Sequence, residues 1–118
     1  MKYLKKYENL NKPQINDYVI CEDQDYTNGE LVDFISKNVG KIVAYTKDYE
    51  KIEDVFAINY PYIVKYENIP EKLNGLEFGD YLAYTRVFSD SEILYHSNNK
   101  EDVEKKLSLL RATNKYNL

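Results

Sequence analysis

The sequence is poor in the residues that assemble metal sites and nucleophilic catalytic sites. Its 118 residues include one cysteine, Cys21, one histidine, His96, and no tryptophan. Because a structural zinc site needs several cysteine or histidine ligands together, zinc fingers and zinc ribbons are excluded. A catalytic triad would depend on His96, and no nucleophile-elbow sequence is present to join it. A lone cysteine forms no disulfide within the chain, so an oxidising compartment is not indicated.

Glycine and long apolar runs are scarce as well. The four glycines are spread along the chain and form no loop of the kind that cradles the phosphates of a nucleotide. No apolar run approaches the roughly 18–20 residues that span a bilayer, and the charges throughout residues 1–10 do not fit a secretory signal. We therefore expect a non-enzymatic protein with no cofactor, no bound metal and no membrane association, located in the cytosol.

The charge balance disfavours nucleic acid as the partner. The net charge is −4, and 16 basic residues alternate with 20 acidic residues along the chain. Proteins that bind nucleic acid usually carry a basic surface, because neutralisation of phosphates supplies much of their affinity. The excess of acidic residues is too small and too dispersed to imitate the charge of DNA.

Tyrosine is the abundant aromatic residue, with 13 copies against 4 of phenylalanine. One interpretation is an adhesive surface, since tyrosine combines a large rigid contact area with a polar tip. The interpretation we prefer for the composition itself is an AT-rich genome. It also explains the 14 lysines against only two arginines, Arg86 and Arg111.

Short β-rich runs bounded by Asn, Asp, Gly and Pro dominate the middle of the chain. The first three runs span Asp17–Cys21, Asn38–Tyr45 and Tyr60–Tyr66. A fourth run over Tyr81–Phe88 and a closing run over Ile93–His96 give about five strands. Short strands in this order predict a small, strongly bent antiparallel β-barrel. The first strand has apolar residues on both faces, so we expect both faces to be covered.

Two amphipathic segments predict helices. Leu31, Phe34 and Ile35 form one apolar edge of a short helix over Glu30–Lys37. After a cap at Asn98, the residues Val103, Leu107 and Leu110 form a stripe on a C-terminal helix that should pack on the barrel. The prediction is an α+β fold in a single domain, residues 1–118, with an N-terminal arm at 1–12, a barrel at 17–96 and a helix at 98–112.

The most charged insertion in the barrel region is Lys47–Ile58. It is either a hairpin tip or short helix with its apolar residues turned inward, or a binding loop of the kind that rigid scaffolds often carry. The sequence does not decide between these two alternatives. The candidate binding residues in and beside this segment are Tyr45, Tyr49, Lys51, Phe56, Tyr60 and Tyr62.

Parts of the chain resemble known families. The segments Pro13–Cys21, Asn38–Val43 and Tyr62–Pro70 look like the first three strands of SH3-like or KOW-like barrels, although Ile15-Asn16-Asp17 stands where such barrels usually have a Gly-Asp turn. The ending, 96–104 and 114–118, resembles small uncharacterised proteins of phages. The resemblance implies a viral, phage-encoded protein in the host cytosol or the virion, and it carries no activity over to this chain.

Three functions are compatible with these features. The first is a non-catalytic interaction module that binds a protein partner such as a host or defence factor. The alternative is a KOW-like nucleic-acid-binding barrel with lysines on the phosphates and Tyr45 or Tyr62 stacked on bases. The third is a structural component of the virion. The lysines of the nucleic-acid hypothesis are Lys41, Lys47, Lys51 and Lys65.

Overall fold

In the part of the chain that the structure describes, a five-stranded antiparallel sheet is combined with three helices, so the α+β class is confirmed. The computed structural model describes residues 12–24 and 28–116, and the predicted arm at 1–12 lies almost entirely outside them. The elements are β1 (Tyr18–Cys21), α1 (Gly29–Lys37), β2 (Gly40–Tyr45), α2 (Asp54–Asn59), β3 (Tyr62–Lys65), β4 (Thr85–Phe88), β5 (Ile93–Ser97) and α3 (Lys100–Tyr116). Single 3₁₀ turns lie at Thr46–Asp48 and Asp90–Glu92.

The sheet is open, with β4 and β5 at its edges. The strand order is β4-β3-β2-β1-β5, and every pairing is antiparallel. Within residues 12–24 and 28–116 the two edge strands do not pair with each other. The predicted closure into a barrel is therefore not seen, and an SH3-like barrel stays a prediction.

β1 is buried on both faces, as the sequence predicted. Val19 and Cys21 face the larger core, whereas Ile20 faces a smaller core with Val103 and Leu107 of α3. The apolar stripe of α3 thus covers the second face of β1. β1 therefore contributes side chains to both cores, one on each face of the sheet.

The larger core contains the aromatic residues of β3 and its surroundings. Tyr66, Phe34 and Phe78 meet edge to face, with ring centroids 5.7 to 5.9 Å apart. Tyr62 and Val64 point into the same core. Tyr62 of β3 and Tyr66, which directly follows the strand, are therefore core residues. Their other partners are Val19, Cys21, Leu31, Ile35, Ile42, Leu73 and Phe88.

The first corner, before β1, uses asparagine where a glycine is common. Asn16 has a φ of 78°, in the left-handed region that asparagine tolerates better than most residues. The backbone N–H of Asp17 donates to the carbonyl of Gln14 at 3.0 Å. The Asp17 carboxylate also contacts Nδ1 of His96 at 3.1 Å. This contact fits the structural role that its position beside a strand end suggests for His96.

β4 is shorter than predicted because a turn precedes it. Gly79 and Tyr84 both have positive φ angles, 95° and 64°. The N–H of Gly79 donates to the carbonyl of Thr85 at 2.9 Å. Residues from Tyr81 onward therefore belong to this turn, and the strand begins at Thr85.

α3 begins two residues later than predicted and ends at Tyr116. Its cap is Asn99 and not Asn98, because the Asn99 side-chain oxygen accepts hydrogen bonds from the N–H groups of Glu101 and Asp102 at 2.9 and 3.4 Å. Asparagine at this position satisfies backbone donors that the first turn leaves unpaired. The predicted range of 98–112 was wrong at both ends.

Candidate binding site between α2 and β4

A cavity of about 230 Å³ lies between α2, the segment 77–81 and β4. Its aromatic side is formed by Phe56, Tyr60 and Tyr81, and its charged side by Glu77, Asp80, Arg86 and Glu92. Three carboxylates and one guanidinium therefore face the same small space. The backbone that carries them comes from three separate parts of the chain.

The position of α2 is set by the 3₁₀ turn that precedes it. The fully buried hydroxyl of Thr46 donates to the carbonyls of Ala57 and Tyr60 at 3.3 and 2.8 Å. These bonds satisfy carbonyl groups at the end of α2, which have no partners inside the helix. They also turn Ala57 inward, so that Phe56 and Tyr60, one helical turn apart, face the cavity together.

The aromatic rings form one continuous group. The ring centroids of Phe56 and Tyr60 lie 5.0 Å apart, and those of Phe56 and Tyr81 lie 6.1 Å apart. Tyr81 is 41% exposed, so the group reaches from the cavity to the surface. An aromatic group with one open side can contact a ligand without rearrangement of the core.

Arg86 is held by carboxylates of the protein itself. Its Nη2 lies 3.4 Å from Oδ2 of the buried Asp23, and its Nη1 lies 3.4 Å from Oε2 of Glu77. The same Nη1 donates to the backbone carbonyl of Glu77 at 3.0 Å. Since the guanidinium has two anionic partners and one carbonyl acceptor, its charge is compensated inside the fold.

Glu92 is also a structural group. One of its carboxylate oxygens accepts from the N–H and the hydroxyl of Ser89, at 2.9 and 3.2 Å. The other accepts from the N–H of Gln24 at 3.0 Å. Ser89 and Glu92 thus form a capping box at the turn before β5.

Asp80 differs from the other carboxylates of the cavity. It is exposed, and in the described part of the chain no hydrogen bond or ion pair engages its side chain. The free acceptor of the site is therefore this carboxylate. Together the four charged residues give the cavity an excess of negative charge.

The binding residues predicted from the sequence do not all lie at the same site in the structure. Phe56 and Tyr60 line the cavity. Tyr62 is only 7% exposed and donates its hydroxyl hydrogen to Asp90 at 2.8 Å, and burial together with this carboxylate raises the pKa of Tyr62. Its ring therefore cannot stack on a base without unpacking the core. Neither Tyr49 nor Lys51 lines the cavity.

Tyr45 lies on a different surface. Its half-buried ring packs 6.1 Å from that of Tyr62, and Nζ of Lys47 lies 5.4 Å from the Tyr45 ring centroid. These residues line a shallow depression with Lys12 and Pro61. Four of the six predicted binding residues therefore fall into two separate groups, and Tyr49 and Lys51 line neither surface.

Sequence reasoning missed Glu77, Asp80, Tyr81 and Arg86. The first three lie in a long connection, where nothing local indicates which residues meet α2. Arg86 did leave a signal, because it is one of only two arginines in a lysine-rich chain and stands inside an apolar strand. An arginine in that position needs buried acceptors, which points to a cluster of carboxylates.

A second depression brings together two of the lysines predicted to contact nucleic acid and one lysine that was not predicted. We call it the lysine groove and define it by Lys41, Lys65 and Lys100, which line a space of about 300 Å³. Lys41 and Lys65 are opposite each other in the pairing of β2 with β3. Nζ of Lys41 lies 5.5 Å from the centroid of the Tyr18 ring. Lys47 and Lys51 do not line this groove.

Some kinds of site are absent from the described residues. Within 12–24 and 28–116, no group of three or more His, Cys, Asp or Glu side chains is arranged to hold a metal ion. None of the helices in that part of the chain has the length and apolar character needed to cross a membrane. Comparisons with models of protein families, with curated proteins and with solved structures find no match.

Proposed function

We propose that the protein is a non-catalytic interaction module that binds a protein partner through α2 and the adjoining turn. The observation that carries the proposal is the inverted character of α2, in which only Ala57 is buried. Val55 and Ile58 are 69% and 78% exposed. A helix in a globular domain normally turns its large apolar side chains toward the core.

The exposed residues lie in the same segment, 54–60, as Phe56 and Tyr60, which line the aromatic cavity. We call this patch the α2 surface and define it by Val55, Phe56, Ile58, Tyr60 and Tyr81. Exposed apolar patches rimmed by polar groups mark interaction sites, and aromatic residues are enriched at the centres of protein interfaces. The patch thus has the composition of an interface centre, with the charged cavity at its margin.

The proposal also includes an SH3-like organisation and a phage origin. Support for the first comes from the strand order β4-β3-β2-β1-β5 and from the single 3₁₀ turn that precedes β5. Support for the second comes only from the resemblance of the C-terminal residues to phage proteins. A host or defence factor is the partner that such an origin suggests.

The test is a crosslinked affinity purification from infected cells with matched surface variants. The tagged wild type is compared with Ile58→Glu on the α2 surface and with Leu94→Glu, which changes an exposed leucine on the opposite edge strand β5. We expect a nuclease-resistant protein partner with the wild type and Leu94→Glu, and its loss with Ile58→Glu.

Other outcomes of this purification would contradict the proposal. Equal recovery of the partner by Ile58→Glu would place the interface elsewhere, and recovery of no protein after crosslinking would remove the interaction itself. Co-purification of virion proteins would instead support the structural role. Circular dichroism on each variant confirms that a lost partner does not reflect an unfolded protein.

A second candidate function, nucleic-acid binding, is supported by the lysine groove. Three lysines beside Tyr18 offer phosphate contacts and an aromatic ring for stacking. For a single strand, three phosphate contacts predict a slope of about −2 for log K against log salt. We expect Lys41→Gln to reduce this slope, whereas Lys105→Gln on the exposed side of α3 leaves it unchanged. Binding without salt dependence would exclude this function.

A further inference from the structure

We propose that the cavity between α2 and β4 receives an alkylammonium group, carried on a lysine side chain of the protein partner. The inference rests on the proposed function and names the chemistry that this site would recognise. It depends on three features of the cavity, which are its size, its aromatic walls and the sign of its unpaired charge.

The size of the cavity suits one side chain. Its volume of about 230 Å³ is below the range of roughly 300–1,000 Å³ that holds drug-sized ligands and cofactors. A lysine side chain presents a flexible methylene stem and a compact cationic head. The stem would lie along the open aromatic side, and the head would reach the carboxylates.

The aromatic walls favour a cation. The faces of Phe, Tyr and Trp rings carry negative charge density and attract a cation that lies within about 6 Å of the ring centroid. Phe56, Tyr60 and Tyr81 surround one side of the cavity with centroid separations of 5.0 and 6.1 Å. A single ammonium group can therefore contact more than one ring.

The unpaired charge also favours a cation over an anion. Among residues 12–24 and 28–116, Arg86 is the only cationic group that lines the cavity, and its guanidinium is already engaged by Asp23 and Glu77. An anionic ligand would have to displace one of these carboxylates. Asp80, in contrast, is exposed and has no ion-pair partner among the described residues, so it can accept an ammonium group without breaking an existing contact.

The test is an NMR titration of the ¹⁵N-labelled full chain with three capped amino acids. The probes are Nα-acetyl-lysine amide, its Nε-trimethyl form and Nα-acetyl-norleucine amide, which keeps the apolar stem but lacks the charge. We expect shifts confined to the amides of α2, residues 77–81 and β4. The lysine probes should bind about fivefold to thirtyfold more tightly than norleucine, as cation–aromatic attraction predicts.

Matched variants separate the contributions of charge and ring. Asp80→Asn should weaken the lysine probes severalfold and leave norleucine unchanged, whereas Glu104→Gln on α3 should change neither. Tyr81→Ala should weaken the lysine probes, and Tyr81→Phe, which keeps the ring, should retain them. Both positions are exposed, so these changes should leave the fold intact.

Four results would overturn the inference. These are norleucine binding as tightly as lysine, shifts outside the cavity, no shifts at tens of millimolar probe, or an Asp80→Asn variant that binds lysine normally. Choline, titrated as a free ammonium compound, tests the source: if it binds far more tightly than either lysine probe, the ligand is not a side chain. If the NMR titration gives one of these results but Ile58→Glu still loses the protein partner in the affinity purification, the inference is wrong and the proposed function remains supported.

Discussion

At the scale of single residues, the hydroxyl of Tyr66 is an uncompensated polar group. The residue is 1% exposed, and its hydroxyl has no hydrogen-bond partner among the described residues. The neighbouring Cys21 thiol contributes to the raised pKa of Tyr66, after burial itself. A thiol is a weak hydrogen-bonding group, and this pair does not reach hydrogen-bond geometry.

We therefore expect Tyr66→Phe to retain or increase the free energy of unfolding. Removing a buried, unpaired hydroxyl relieves a desolvation cost of about 1–3 kcal/mol, and the ring keeps its packing against Phe34, Phe78 and Phe88. Urea unfolding measures the difference. A loss of stability would show that the hydroxyl has a partner in solution.

Tyr84 is strained, which is unusual for a bulky exposed residue. Its φ of 64° lies in the left-handed region, and it is 49% exposed. Left-handed backbone costs an L-residue about 1–2 kcal/mol, and glycine does not pay that penalty. Tyr84→Gly should therefore be more stable than Tyr84→Ala, which loses the same ring but keeps the strain. Equal melting temperatures for the two variants would contradict this account.

At the scale of elements, Gly40 allows β2 to approach β3 closely. A methyl group built on Gly40 would lie 2.9 Å from Cζ of Tyr66 and closer still to Val64. Gly40→Ala should lower the free energy of unfolding by about 1–3 kcal/mol through overpacking. Gly29→Ala is the matched control, because nothing lies within 4 Å of the added carbon. Similar stability of both variants would show that β2 can shift freely.

Which elements could be predicted from the sequence depends on how local their determinants are. The turn Asp90–Glu92 was predictable because its capping box lies within four consecutive residues. The start of β4 was not, because the positive φ of Tyr84 depends on a bond from Tyr66 to its carbonyl and on the bond between Gly79 and Thr85. The cap of α3 was misplaced by one residue because Asn98 and Asn99 offer the same chemistry in sequence.

At the scale of the whole molecule, the buried thiol of Cys21 and the buried phenol of Tyr66 should make the free energy of unfolding fall in alkaline solution. Burial raises the pKa of Cys21 from 9.0 to about 12 and raises that of Tyr66 above 10.0. The folded state therefore binds these protons more tightly than the unfolded state does. The stabilisation is complete below about pH 9 and is lost as the pH rises toward 12.

Urea midpoints between pH 8 and 11 measure this effect. Cys21→Ala should show a smaller decrease with pH than the wild type, whatever its stability at pH 8. A wild-type midpoint that stays constant over this interval would contradict the burial of these groups.

Only some residues of the candidate site could be predicted from the sequence. Phe56 and Tyr60 were found because Phe56 lies in the charged segment Lys47–Ile58 and Tyr60 lies just after it. Asp80 and Arg86 were missed because they reach the cavity only when the sheet places β4 beside β3. No spacing in the sequence encodes that approach, since it follows from long-range pairing such as Ile63 opposite Val87.

The pairing of β1 with β5 affects how the chain can reach its fold during synthesis. Tyr18 is opposite both Lys41 of β2 and Ser97 of β5, so β1 needs a neighbour from the far end of the described chain. Ile20 becomes buried only after α3 has packed against β1. Contacts this distant slow folding and leave apolar strands unprotected meanwhile. In a ribosome-bound chain that ends before Ser97, β1 should therefore pair with β2 but not with β5. Its unpaired edge should then be accessible to chaperones or to another chain.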